Sequence, residues 1–342
     1  MKYYFLGTDE AGYGPNLGPL SVSSSLWAGD FPRTNDPLTL LNSRVLKSIS
    51  FQNGFHICDS KRLYHSGHLA PLERSFFFAF EYGVNEEQDL PLFRGRGTLS
   101  PHYSSWLSVV HALSTAPRLE SEFSPPWEKE ISFSLPLTGA RDWLETFSTD
   151  YFETKYRLET EGVSLLGIAS RLVQPLEFNL MIDRLGLKSE LLAEVTFETA
   201  LYLLRPILSK TSEKKEIIVC CDKLGGRNRY GDLLRRFLPE WGFKVDIESR
   251  QKSVYRYSLP RGAMTFIFQA KGESNIPTAL SSIVSKYQRE ISMEAFNRYW
   301  LKRLSNLAPT AGYPVDARRF RNDVDEVRRK EGISDDCFWR KK

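Results

Sequence analysis

The chain is poor in the residues on which much hydrolytic chemistry depends. Its 342 residues include five histidines, all between His56 and His111. A Ser-His-Asp triad or a histidine-ligated zinc site would need imidazoles near the acidic and glycine-rich stretches described below, so both are set aside. The four cysteines (Cys58, Cys220, Cys221, Cys337) form no Cys-x-x-Cys pair, which excludes a zinc-ribbon pattern and gives no disulfide framework. A reducing, cytoplasmic setting is the expectation. No apolar run approaches the roughly 20 residues of a membrane-spanning helix, so no membrane partner is expected. The first apolar stretch, Tyr3–Leu6, meets Asp9 too soon to be the core of a signal peptide. The formal net charge of +4 is small. Hydrophobic residues make up 41% and aromatics 13%, enough for a real core.

What is present is concentrated at the start. Tyr3–Leu6 reads as a buried strand and runs into Asp9 and Glu10, followed by Gly12, Gly14 and Gly18. Neighbouring strand residues point to opposite faces, so adjacent carboxylates can serve one ion only where the strand ends and the chain turns. Glycines at φ > 0 supply such a turn and let another backbone approach. Carboxylate oxygens suit hard divalent ions. Glu216–Asp222 repeats the device, an apolar strand ending in an acid. Between Lys223 and Arg261 ten Lys or Arg face four Asp or Glu, and this basic strip suits a polyanion. The glycines lack dinucleotide-fingerprint spacing, Pro15 lacks an N–H for pyrophosphate, and no Walker lysine follows.

Leu20–Trp27 reads as a second strand pairing antiparallel with the first. A helix-like patch follows Leu63 through Phe80. Ser189–Leu208 reads as a helix capped by Ser189. Trp241–Glu248 and Ala263–Phe268 read as further strands. Thr278–Leu304 reads as a long amphipathic helix entered through a proline, and Val315–Lys330 as a charged one. Residues 86–164 change character, with scattered Pro, Gly and aromatics as in Arg94–Gly97 and Ser124–Trp127, no repeat and no clean helical period. They are expected to form an inserted subdomain of a few strands and short helices, between catalytic-domain segments 1–85 and 165–342. The fold class expected is α/β, a mixed sheet flanked by helices.

The string around Asp9 resembles the signature of the type 2 ribonuclease H family, ribonucleases HII and HIII, whose members open on a strand ending Asp-Glu-Ala-Gly-Arg-Gly-Pro. Four further stretches resemble family blocks in the same order: Asp59–Leu63, Pro175–Asn179, Lys271–Ser274 with Pro277 and Ser282–Lys286, and Gly312–Pro314. The family's second and third blocks lie closer together than Lys61 and Asn179 do here. The resemblance implies a ribonuclease H-like sheet. It also implies an endonuclease, dependent on Mg²⁺ or Mn²⁺, that cleaves RNA strands or embedded ribonucleotides in RNA–DNA duplexes, leaving 3′-hydroxyl and 5′-phosphate ends. Asp9, Glu10, Asp222 and Glu273 would be the catalytic and metal-holding acids, with Asp9 as bridge between two ions about 3.5–4 Å apart. Asp222 could instead only cap a turn. Glu273 could serve a helix N-terminus, with Glu290 or Glu294 in its place. Gly12, Tyr13 and Gly14 correspond to the loop whose backbone contacts the 2′-hydroxyl. Lys61, Lys271, Ser282 and Lys286 are candidate substrate ligands, and Tyr313 resembles a tyrosine that stacks on a sugar. Tyr13 stands where the family has arginine. Glu273 resembles the HIII pattern and Gly14-Pro15 the HII pattern. Two alternatives stay open: a homologue that binds nucleic acid without cutting it, and a nuclease of this fold acting on another substrate such as branched DNA. No feature points to a protein partner.

Overall fold

The computed structural model describes residues 1–34, 36–49, 55–64, 68–84, 105–115, 123–138 and 141–341. In chain order its elements are β1 (Lys2–Ala11), β2 (Leu20–Asp30), α1 (Pro37–Ser48), α2 (Ser60–Leu63), α3 (Ala70–Val84), α4 (Trp106–Leu113), α5 (Pro126–Glu130), α6 (Arg141–Thr160) and β3 (Val163–Val173). There follow α7 (Pro175–Leu185), α8 (Lys188–Ser209), β4 (Lys215–Asp222), α9 (Gly231–Phe237), β5 (Phe243–Glu248), β6 (Lys252–Leu259), β7 (Gly262–Gln269), α10 (Ile276–Leu301), α11 (Pro314–Lys330) and α12 (Asp335–Phe338). The strands form one mixed sheet in the order β3-β2-β1-β4-β7-β6-β5. The central strands β1, β4 and β7 run parallel, and antiparallel hairpins extend both edges. Helices cover both faces. Among the described residues no helix is long and apolar enough to cross a membrane.

Alternation along β1 assigns the faces. Tyr3 and Phe5 join the core that contains α10, whereas Tyr4 and Leu6 join the core under α8. The same parity in β4 sends Ile218 and Cys220 toward α10, and Ile217, Val219 and Cys221 toward α8. The last registered pair between the parallel strands is Thr8 with Cys221. Asp9 and Asp222 are therefore the next position on each strand, and parity puts both on the α10 face.

α10 departs from the amphipathic helix expected of it. Twenty of its 26 residues are buried, because it is covered by the sheet on one side and by α3 and α5 on the other. Trp127 of α5 meets Phe296 edge-on with centroids 4.9 Å apart, and Phe76 of α3 stacks on Tyr287 at 4.2 Å. Small polar residues fill the seam with the sheet. Ser281 Oγ donates to the Gly7 carbonyl and Ser285 Oγ to that of Asp9, both at 2.9 Å, and Ser25 Oγ donates to the Pro277 carbonyl at 2.8 Å.

Other expectations shift in detail. Ser189 lies inside α8, whose N-cap is Leu187. Strands β3 and β6 lacked a clear signal; in β6 the exposed Arg256 interrupts the apolar run. Within 86–164, Arg94–Gly97 falls outside the described residues, α6 is a 20-residue helix, and Trp106, Val109, Trp127, Phe147 and Tyr151 share the core of Phe5 and Ile283. Exposed Phe152 and Tyr156 blur the apolar period of α6.

The seam makes a specific demand of Gly7. A Cβ there would stand 2.0 Å from the Pro277 carbonyl carbon and 2.2 Å from Thr278 N, both main-chain atoms of α10. Gly7→Ala is expected to cost about 1–3 kcal/mol or more. Gly14→Ala, whose Cβ meets nothing within 4 Å, should leave the melting temperature within about a degree. Equal thermal stability of the two variants would show that the helix does not rest on the strand here.

Candidate active site

The parallel strands end at one rim of the sheet, and the acids collect there. β1 brings Asp9 to the α10 face and Glu10 to the other, and β4 adds Asp222. Beyond β7, Lys271 takes a left-handed backbone (φ 61°), the only non-glycine residue at positive φ among the described residues. It starts a 3₁₀ turn, Gly272–Ser274, that leads into α10. This turn fixes two acids. The Gly272 N–H donates to Asp222 Oδ1 at 3.2 Å, and Glu273 Oε1 accepts from Ser282 Oγ at 2.7 Å. Ser282 is also 2.9 Å from Ser60 Oγ. The neighbouring Asp59 caps α2 through the Lys61 N–H at 2.8 Å.

These residues line a cleft of about 960 Å³. Of the residues singled out in the sequence, Asp9, Glu10, Gly12, Lys61, Asp222, Lys271, Glu273, Ser282, Lys286 and Tyr313 face it. Tyr13 and Gly14 do not line it. The Tyr13 ring lies under Lys188 Nζ, 4.7 Å from its centroid. Gly14 is exposed without positive φ; of the three loop glycines expected to use that freedom, Gly12 (φ 86°) and Gly18 (φ 73°) do. Glu290 and Glu294, considered in place of Glu273, are paired instead with Lys286 and Arg298. Tyr313 is 55% exposed at the rim. The sequence reading passed over Asp59, His56 and Arg289, which also line the cleft. Asp59 belongs to the Asp59–Leu63 motif, which is a local cue to its place in the cleft.

The acids perturb one another. Burial, then the charge of Glu10, pushes the Asp9 carboxyl well above its usual range, with smaller contributions from Glu273 and Asp222. Burial and then Asp222 push Glu10 up to about 7. Burial also raises Glu273, which shares a hydrogen bond with Asp59. Lys61, beside Glu273, is held charged more firmly than usual by that carboxylate above all. The donor set is all oxygen and strongly anionic, which fits Mg²⁺ or Mn²⁺. As the side chains stand, Asp222 and Glu273 are committed to local donors, and among the described residues no three His, Cys, Asp or Glu are grouped closely enough to hold one ion. Holding one ion with three of these carboxylates requires them to come closer together than they stand.

No protein-family model matches the chain, and no curated protein matches it either. Solved structures do resemble it. Ribonuclease H2 from Pyrococcus horikoshii matches with a TM-score of 0.40 at 17% identity, over 99% of this chain and 92% of that one. Ribonuclease HII from Archaeoglobus fulgidus, solved in complex with PCNA, matches at 0.38 and 14%, over 98% and 92%. Bst ribonuclease HIII, solved with Mn²⁺, matches at 0.44 and 14%, over 99% of this chain and 66% of that one. The structures it resembles are thus type 2 ribonucleases H, the family whose motifs its sequence resembles. At these scores the chemistry has to be argued from the cleft itself.

The raised carboxyls have a measurable consequence. Glu10 titrates near 7 in the folded chain against an ordinary 4.5, so between these values the folded state holds more proton than the unfolded one. Its contribution therefore lowers stability as pH rises from 4.5 through 7. With divalent ions chelated, Glu10→Gln is expected to raise stability at pH 8 by roughly 1–3 kcal/mol and to change little at pH 4.5. Denaturant melts at the two pH values decide this; equal effects at both would mean that the carboxyl is not strained.

Proposed function

We propose that the chain is a metal-dependent endonuclease that hydrolyses RNA strands, or embedded ribonucleotides, in RNA–DNA duplexes. The observation that carries this is the end-to-end placement of Asp9 and Asp222 on adjacent parallel strands, on one face, with Glu10 and Glu273 in the same cleft. Four carboxylates facing a phosphodiester repel it unless cations intervene. When Mg²⁺ or Mn²⁺ is bound by them, it would supply activated water and neutralise charge developing on the leaving oxygen.

The protein's own groups divide the remaining tasks. Asp9 and Asp222 are the acids best placed to share cations, with Glu10 and Glu273 completing the set. Lys271 has no side-chain partner among the described residues, and its strained backbone holds it at the rim of the cleft. Together with Lys61 it would take phosphate oxygens. Lys286 is already engaged with Glu290 and lies over the Tyr64 ring, so it would contribute field more than direct contact. The backbone at Gly12 would meet the 2′-hydroxyl that separates RNA from DNA, and exposed Tyr313 offers a ring for a sugar.

A purified-protein assay tests this with three duplexes, a uniform RNA–DNA hybrid, one with a single ribonucleotide, and all-DNA, each with and without Mg²⁺ or Mn²⁺. Cleavage of ribonucleotide-containing strands alone, only with metal, is expected. Asp222→Asn nearly keeps shape and removes one charge; it should lower turnover by roughly 10²-fold or more while the protein stays folded. Wild-type-like turnover of Asp222→Asn at saturating Mg²⁺ would overturn the assignment.

A further inference from the structure

Two guanidinium groups lie beneath the glycine loop, neither of them ion-paired with a carboxylate among the described residues. Arg289, on α10, is 3% exposed, and Arg340, just beyond α12, is 1% exposed. Their hydrogen-bond partners are main-chain carbonyls. Arg289 donates to Pro19, to Leu17 at 3.2 Å and to Ala311 at 3.0 Å. Arg340 donates to Gly12 at 2.6 Å and to Pro15. Arg340 also gives its N–H to the Asn16 carbonyl at 2.9 Å, and Asn16 Nδ2 returns a bond to the Arg340 carbonyl at 3.3 Å. The carbonyls of residues 12, 15, 16, 17 and 19 are thus all held from the protein side. Among the described residues nothing comparable takes the N–H groups of Gly12, Tyr13 and Gly14.

Placing two cations in the interior is costly. Burial holds Arg289 down to about 10. Burial and then the charge of Arg289 push Arg340 well below its ordinary value. Nε and Nη1 of Arg340 are buried without a hydrogen-bond partner, and its main compensation is the Phe178 ring at 4.7 Å. Such an arrangement calls for an explanation beyond stability. The segment that carries Arg340 is itself anchored: Asn179 of α7 donates to the Asp336 and Trp339 carbonyls and accepts the Lys341 N–H. Arg289 connects the loop to the acids, because it lines the cleft, and a Cβ on Gly12 would fall 2.8 Å from its Cδ and Nη1.

We propose that Arg289 and Arg340 are positioning residues that hold the loop's carbonyls inward, leaving the Gly12–Gly14 N–H groups as an electropositive cradle for the substrate's sugar-phosphate backbone. The proposal rests on the ribonuclease function argued above. Consecutive N–H groups of this kind bind anionic and hydroxyl oxygens, and the buried charges beneath them add to that field. The device needs no cation at position 13, where this chain has tyrosine.

Arg340→Met tests it, since it keeps the stem on Phe178 and deletes the fork; Arg340→Lys keeps the charge and can restore one of the bonds. Hydrogen exchange of the peptide spanning residues 12–18, Mn²⁺ binding by calorimetry and hybrid-cleavage kinetics are measured on each. For Arg340→Met, exchange about tenfold faster, KM about tenfold higher with kcat within about threefold, and unchanged Mn²⁺ affinity are expected, with Arg340→Lys intermediate. A folded Arg340→Met, or Arg340→Lys should the former not fold, with wild-type exchange and KM would overturn the clamp. A fall in kcat and stability with KM unchanged would also overturn it, by marking a merely structural role. If the wild type cuts no hybrid with any metal, the ribonuclease function fails, and the exchange measurement still judges the clamp.

Discussion

The contact of α10 with β1 is the constraint on which the rest depends. A helix can lie directly on a strand only where neither side carries bulk, and here Gly7 meets the Pro277–Thr278 main chain while Ser25, Ser281 and Ser285 supply short hydroxyls. Those hydroxyls bond to carbonyls across the seam, so the fit is directional as well as close. The contact sets the height at which Ser282 meets Glu273, and the 3₁₀ turn entering α10 sets the donor for Asp222. The position of two acids, Asp222 and Glu273, thus follows from one helix being seated on one strand.

Charge is separated across the β1 end of the sheet. On the cleft side, desolvated carboxylates raise one another; on the loop side, two buried guanidiniums lie on main-chain carbonyls, with the Phe178 ring beside Arg340. Both clusters are internally repulsive; the guanidiniums and Asp9 are buried, whereas Glu10, Asp222 and Glu273 are half-buried on the cleft wall. Arg289 lies between them, since it packs under Gly12 and also lines the cleft.

How much of this could be read from the sequence depends on the range of each signal. Strands ending in Asp9 and Asp222 announce themselves locally, as an apolar run followed by an acid, and their parity then follows from a period of two. β3 and β6 did not, because Gly167 in one and Lys252 and Arg256 in the other break the pattern. The sequence pattern of α10 is amphipathic because its serines, Gln288 and Arg289 count as polar, yet they are buried, and Ser281, Ser285 and Arg289 bond to main chain. Asp59 gave a local cue through its motif and was passed over in favour of the neighbouring lysine. Arg340 gave none. Its partner Gly12 is 328 positions away, and nothing near Arg340 distinguishes it from the surrounding surface cations.

The substitution at position 13 can be judged from this geometry. With Gly12 held by Arg340, Leu17 and Pro19 by Arg289 and Asn16 tied to the Gly312 carbonyl at 2.8 Å, the loop's path is held without the side chain at 13. That side chain leaves the cleft and meets Lys188 and Gly225. A cation there would add an outward charge, whereas here the positive charge is built into the floor of the loop. A floor charge cannot form a bidentate contact with one phosphate. Under the proposed clamp it would act through the N–H groups above it.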